Sequence, residues 1–359
     1  MSAVAGEPVA LITGGAGFVG SNLAQRLLSE GRRVLVFDNL SRAGVRNNLR
    51  RLQELHPDRL EIQVADVRDP GQVLQAVSRA DEVYHLAAQV AVTTSLESPL
   101  EDFEVNARGT LNILEAARKR EPAPLVVFTS TNKVYGALDD IALLKTAVRY
   151  VPANLQVREN GIGESRPLDF HSPYGCSKGA ADQYVLDYAR SYGLPAVVFR
   201  MSCIYGPHQF GNEDQGWVAH FIIRARENSP LTIFGDGCQV RDVLYVGDLV
   251  EAFVLARQNI ATLAGRPYNI GGGPHNTLSL RGLVERLGEQ LGLRPSIRFS
   301  PWRTGDQRYY VSDTRRFSQA TGWRARVAPS EGIERLHNWL TQTTAVATSR
   351  PRASVEAHP

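Results

Sequence analysis

A tyrosine and a lysine four positions apart, in Tyr174-Gly175-Cys176-Ser177-Lys178, open a stretch of helical composition (GAADQYVLDYARSYG). At helical spacing the two side chains share one face. A free phenol, with a pKa of ~10, is a poor base at neutral pH, but a neighbouring ammonium and a positively charged ring stabilise the phenolate. The pair can then take a proton from a hydroxyl. Removing hydride from the carbon beneath that hydroxyl also needs a donor to hold the oxygen. Thr131, at the end of the apolar run LVVFTST, supplies it. Thr131, Tyr174 and Lys178 are the candidate catalytic set.

Such chemistry needs an oxidant, and the N-terminal sequence offers a site for one. The run Val9 to Thr13 leads into Gly14-Gly15-Ala16-Gly17-Phe18-Val19-Gly20, after which Asn22 to Leu28 has helical periodicity. Gly14 lets the chain turn, Gly17 lets backbone approach a pyrophosphate, and Gly20 lets the helix pack on the strand, whose helix N–H groups favour an anion. Asp38 ends the second strand 18 positions after Gly20. A carboxylate there accepts from both adenosine ribose hydroxyls and repels a 2′-phosphate, so NAD is expected over NADP. Arg42 pulls the other way, since it can pair with a phosphate; with Phe18, Val19, Asn39 and Ser41 it completes this half of the cofactor set. Asp66 and Val67 suit an adenine-contacting loop, and Leu86-Ala87-Ala88 lets backbone pass the cofactor. Asn106, Tyr174 and Lys178 are added on the nicotinamide side. His85, ending an apolar strand, is expected to be buried, satisfied by backbone and without a role.

The elements that must position these residues alternate strand and helix: Leu60 to Val64, Glu82 to Leu86 and Leu125 to Phe128 follow the first two strands. The pattern predicts an α/β, Rossmann-type doubly wound parallel sheet with a smaller mixed α/β C-terminal substrate domain. Asn106 to Lys119 places Leu111, Ile113, Leu114 and Ala117 against the sheet. The expected organisation is a cofactor domain over 1–204, to which 238–258 returns, and a substrate domain over 205–237 and 259–342. Residues 136–167 read as a substrate-facing excursion, and 343–359 as a disordered tail.

With 40 basic and 37 acidic residues the net charge is +3, too small to predict a nucleic-acid partner. No run approaches the ~20 apolar residues that a bilayer requires, and no secretory signal is visible. Cys176, Cys203 and Cys238 are an odd number without metal-binding spacing, so a cytoplasmic protein with reduced thiols and no metal site is expected.

Taken together, the glycine turn, Thr131 before Val134-Tyr135-Gly136, Tyr174/Lys178, Tyr205-Gly206-Pro207 and Arg241-Asp242 resemble the extended short-chain dehydrogenase/reductases, and among them the nucleotide-sugar epimerases, over residues 8 to 340. Ser130 to Gly136 (STNKVYG), Leu168 to Tyr184 (LDFHSPYGCSKGAADQY) and Asp214 to Val218 (DQGWV) are similar to the CDP-paratose 2-epimerase branch. The resemblance implies a CDP-linked sugar as substrate and a homo-oligomer, with Gln89, Thr131, Asn132, Lys133 and Gln215 at the sugar. It also implies Arg241 and Arg308 at the diphosphate. Cys203 departs from the pattern, standing where many relatives place a phosphate-contacting Asn.

Relatives that dehydrate at C4 and C6 carry Asp-Glu directly after the Ser/Thr; Asn132 and Lys133 stand there instead, which disfavours elimination. A 4-epimerase stays open, because the same residues do the same chemistry whichever carbon faces the ring. A reductase is disfavoured by Asp38, and a non-catalytic dinucleotide sensor by the presence of all three catalytic candidates.

Overall fold

Apolar runs without polar alternation, such as Val34-Leu35-Val36-Phe37 and Val126-Val127-Phe128, belong in strands buried on both faces. They lie there in the computed structural model, which describes residues 7–349. In chain order the strands are β1 (Val9–Thr13), β2 (Arg33–Asp38), β3 (Leu60–Val64), β4 (Glu82–His85), β5 (Leu125–Thr131), β6 (Leu143–Lys145), β7 (Tyr150–Pro152) and β8 (Ala196–Met201). After these come β9 (Cys203–Tyr205), β10 (Leu231–Phe234), β11 (Val240–Tyr245), β12 (Pro267–Ile270), β13 (Thr277–Ser279), β14 (Ile297–Ser300) and β15 (Tyr309–Tyr310).

Seven of them form one parallel sheet in the order β12-β8-β5-β4-β1-β2-β3. Successive residues of each strand feed opposite cores. Ala10, Ile12, Val34, Val36 and Val127 pack under the helices Phe18–Ser29, Val45–Leu55 and Val246–Gln258. Leu11, Leu35, Phe37, Val126 and Phe128 pack under Pro70–Val77, Gly109–Arg118 and Ser172–Tyr192. Ile113, Leu114 and Ala117 are buried in this second core and Leu111 packs at its edge, as their spacing predicts.

The C-terminal part is mixed: β9, β11, β13 and β15 form a second sheet, β10 pairs with β14, and a separate core holds Val218, Ile222, Leu283 and Ile333. The segment boundaries differ from those expected. Of 238–258, only the helix Val246–Gln258 joins the large sheet, because β11 pairs with β9, β13 and β15. The chain returns further on, where β12 edges the large sheet beside β8 and Phe317 and Trp323 pack in its core. The 136–167 stretch does not line the central cavity. It packs through Leu138 and Ile162 with Tyr310, and through Leu143 and Val157 with Tyr309 and Val311. The helix Pro329–Ser349 extends into the expected tail; 350–359 lie outside the described residues.

No helix of the described residues is long and apolar enough to cross a membrane.

His85 is buried, and its ring is held by two threonine hydroxyls rather than by backbone: Nδ1 lies 2.7 Å from Thr13 Oγ1 and Nε2 3.0 Å from Thr110 Oγ1. Thr110 donates to the Asn106 carbonyl at 2.6 Å, so it accepts from Nε2–H, and Nδ1 accepts from Thr13. That fixes a neutral ring. Burial pulls the His85 pKa down to about 3, with the Lys178 charge adding to the effect. Below the ordinary histidine range the unfolded chain binds a proton that the fold refuses, so stability falls as pH drops from about 6.5 towards 3. His85→Gln should flatten the acid limb of a denaturant-midpoint series across that window; an unaltered slope would assign the acid sensitivity to other groups.

Candidate active site

The strand order reverses between β1 and β4, and at such a point a crevice opens beyond the carboxyl ends of the strands. A cavity of ≈ 800 Å³ lies there. Its floor is the glycine turn, with Gly14, Gly17, Phe18, Val19 and Gly20 all on the wall. Gly14 has φ 68°, and a Cβ on it would stand 2.8 Å from the Ala87 nitrogen, so the turn and the loop after β4 pass with no room for a side chain. A Cβ on Gly20 would run into the Gly14 carbonyl. Gly17 begins the helix Phe18–Ser29 without a side-chain cap, which leaves helix N–H groups for an anion. These features fit a dinucleotide pyrophosphate.

Asp38 ends β2, where one carboxylate oxygen accepts from Ala16 N at 3.0 Å and the other from Leu40 N at 2.8 Å. Burial raises its pKa, against these hydrogen bonds and the charge of Arg42. Asn39, Ser41 and Arg42 line the same wall, and Arg42 is exposed at its rim. Asp66 and Val67 follow β3. Arg68 holds the Asp66 carboxyl down to about 2, and Asn39 donates to it at 2.9 Å. Leu86, Ala87 and Ala88 also line the cavity; Thr13 Oγ1 accepts the Leu86 and Ala87 N–H groups at 3.2 Å each.

The catalytic candidates meet. Thr131 is the last residue of β5, and Tyr174 enters on the helix Ser172–Tyr192 after Ser172 at φ 63°. Thr131 Oγ1 donates to Asn132 Oδ1 at 3.4 Å and accepts from Lys133 N at 3.3 Å, and its hydroxyl is near enough to the Tyr174 phenol to favour the phenolate. Burial pushes the Tyr174 phenol up to about 12; the Thr131 hydroxyl and the Arg42 charge oppose this, and Asp102 adds to it. Lys178, one turn on, is buried, and its Nζ donates to the Thr129 carbonyl at 2.5 Å while lying 4.3 Å from the Phe128 ring centre. Burial brings the Lys178 pKa down to about 7, against the charges of Asp182 and Asp102. Lys178 is held on the Thr129 carbonyl, and the Arg42 charge favours the Tyr174 phenolate. Ser130 Oγ, between Thr129 and Thr131 on the cavity wall, is buried with no hydrogen-bond partner.

Gln89, Asn132, Lys133, Gln215 and Arg241 line the farther end. Two expected residues do not reach the cavity. Asn106 is fully buried in a π-helical turn, Glu104–Arg108, where its amide accepts from Gln89 N at 2.9 Å and donates to Gln89 O at 3.0 Å and Ser177 Oγ at 3.1 Å. It fastens the loop after β4 to the tyrosine helix. Arg308 is exposed, its guanidinium 5.8 Å from the Trp302 ring centre on the outside. Gln307 turns inward at that point, so its neighbour turns out. The second arginine at this end of the cavity, beside Arg241, is Arg303, which the sequence reading missed. It lies 3.6 Å from the Phe234 ring centre and donates to the Glu213 carbonyl at 2.9 Å. The signal for it was the Arg303-Thr304-Gly305 order, since Gly305, at φ 79°, makes the turn that faces Arg303 inward.

A family model described as the NAD dependent epimerase/dehydratase family matches residues 10–271. The chain belongs to the NAD dependent epimerase/dehydratase family. Among family relatives, it is 44% identical over 338 residues to CDP-paratose 2-epimerase of Salmonella typhi, covering 92% of this chain and 98% of that one. The structure of a Thermus thermophilus UDP-glucose 4-epimerase with NAD is similar with TM-score 0.76 and 35% identity, covering 93% and 99% of the two chains. A dTDP-glucose 4,6-dehydratase of Streptomyces venezuelae with NAD bound is similar with TM-score 0.80 and 28% identity, covering 94% and 98%. In this epimerase/dehydratase chain the two side chains after Thr131 are tied across to the C-terminal part: Asn132 Nδ2 donates to Gln307 Oε1 at 3.0 Å and Lys133 Nζ to Gly305 O at 2.8 Å.

Proposed function

We propose that the protein epimerises a nucleotide-linked sugar by transient oxidation to a ketone and return of the hydride, with CDP-paratose to CDP-tyvelose at C2 as its reaction. The observation that carries this reading is Thr131, Tyr174 and Lys178 on the wall of one cavity with the glycine turn and Asp38. NAD, when bound, supplies the hydride acceptor. Gly14, Gly17 and Gly20 give its pyrophosphate room, and each Asp38 oxygen keeps lone-pair capacity for a ribose hydroxyl. Lys178 faces the nicotinamide ribose, Thr131 holds the reacting sugar oxygen, and Tyr174 takes its proton and gives it back. Asn132 and Lys133 offer no carboxyl for an elimination, which separates the chain from the dehydratases it resembles.

Arg241 and Arg303 hold the diphosphate, while Gln89 and Gln215 face the sugar. The base and the carbon rest on the CDP-paratose 2-epimerase relative. The reading includes a cytosolic homo-oligomer: Cys176, Cys203 and Cys238 are free thiols, and Leu96, Leu100 and Phe103 stand exposed on short helices flanking the sheet. Incubating the purified protein with CDP-, UDP- and dTDP-linked sugars and reading products by NMR should show C2 inversion of the CDP-linked 3,6-dideoxyhexose. Inversion at C4 of a UDP-sugar would replace this reading with that of a 4-epimerase.

Asp38→Ala removes the ribose acceptors and the charge that opposes a 2′-phosphate. We expect weaker NAD binding and a narrower gap between NAD and NADP in titrations of tryptophan fluorescence. An undiminished NAD preference would place the ribose away from β2.

A further inference from the structure

Two cations on the far wall of the cavity have only neutral partners. Lys133 Nζ donates to the Gly305 carbonyl at 2.8 Å. Arg241 donates to the Val240 carbonyl at 2.9 Å and to the Gln307 carbonyl at 2.7 Å. Among the described residues neither makes an ion pair, although they are close enough for the Arg241 charge to bear on Lys133. The charged or titratable groups around Lys133 are Arg241 on β11, Asp306 on the 301–308 segment and Cys203 on β9. Burial and Arg241 pull its pKa down to about 8, against Asp306 and Cys203. Lys133 and Arg241 share one cavity wall, with Asp306 the carboxylate that acts on Lys133, and two such cations without an ion pair suit an anion.

A peptide carbonyl is a weaker partner for an ammonium than an anionic oxygen, because the bond between two ions is charge-assisted on both sides. The Gly305 contact is therefore the kind that a ligand can displace, whereas Gln307 is fixed. Gln307 is fully buried, and its side-chain amide donates to Gly136 O at 2.6 Å and accepts from Asn132 at 3.0 Å. The turn that carries Arg303 runs directly into these points. We propose that Lys133 is an exchangeable ligand for the diphosphate of the sugar nucleotide, its ammonium leaving the Gly305 carbonyl for a phosphate oxygen beside Arg241 and so untying the 303–306 turn up to the anchor at Gln307. This rests on the sugar-nucleotide reading above and adds a residue and a moving part to it. Lys133 thereby senses the anion, while Arg303 stays held by the Glu213 and Asp214 carboxylates at 3.7 Å each.

The exchange has a proton signature. A lysine titrating near pH 8 beside a carbonyl becomes fully protonated beside a phosphate, whereas the diphosphate diester of a sugar nucleotide has no proton to give or take in this range. Calorimetric titration of the NAD-loaded protein with CDP-glucose at pH 8, in two buffers of different ionisation enthalpy, should show uptake of about half a proton per site. Lys133→Met should abolish the uptake and weaken binding about tenfold, while Lys133→Arg should restore the affinity without the uptake. Lys178 also titrates near the cavity, so the comparison among the three proteins decides. Zero uptake by the wild type, or the same uptake by Lys133→Met, would overturn the proposal. Absence of any nucleotide-sugar binding would overturn the functional reading, and this one with it.

Discussion

Tyr174→Phe should lower turnover about a hundredfold or more while leaving nucleotide-sugar affinity within about threefold of wild type. The ring fills the same space, and the phenol oxygen is the only group lost. That oxygen is near the Thr131 hydroxyl at the end of β5, and burial holds it protonated up to about 12. The Thr131 hydroxyl and the Arg42 charge pull towards phenolate, so the chain already offsets part of the cost of making a base there. Single-turnover measurement of ketosugar formation separates this from product release. A rate within tenfold of wild type would remove Tyr174 from the role of base.

Lys178→Met should damage NAD affinity and turnover together, each by about tenfold or more, with little loss of stability. The ammonium is buried against a carbonyl and the Phe128 ring, and burial brings its pKa down to about 7. A charge kept in such a place is not there for the fold, and a methionine stem fills its volume. Thermal unfolding at pH 7 should therefore stay within a few degrees of wild type. Loss of rate with NAD affinity preserved would confine Lys178 to an effect on the phenol.

Much of this was legible in the sequence where the physics is local. A strand, three glycines and a carboxylate in order specify a turn and a ribose contact, and β1, the turn and Asp38 lie where that order puts them. A four-residue spacing on a helix brought Tyr174 and Lys178 to one face, and Thr131 was in reach because β5 neighbours β4 at the switch point. The misreadings needed information from across the chain. Asn106 is polar and near the loop it was assigned to, but only the fold shows its amide consumed by the Gln89 backbone. Arg308 and Arg303 are equally good guanidiniums in sequence; which one faces the cavity depends on the turn at Gly305 and on Gln307 facing inward towards Asn132, 175 residues away. The 136–167 stretch looked irregular enough to face a substrate, yet its irregularity serves packing behind β15.

On this reading the stereocentre is inverted by removing and returning a hydride. Proton exchange next to a carbonyl would need a pre-existing ketone and a base on each face of the carbon, whereas the cavity presents one phenol beside a dinucleotide site. The most direct measurement is the fate of the C2 hydrogen during turnover of CDP-paratose, read by NMR and mass spectrometry of the epimer. Substrate deuterated at C2 should keep its label in the product, and turnover in heavy water should place no deuterium there. Solvent deuterium at C2 would contradict the account.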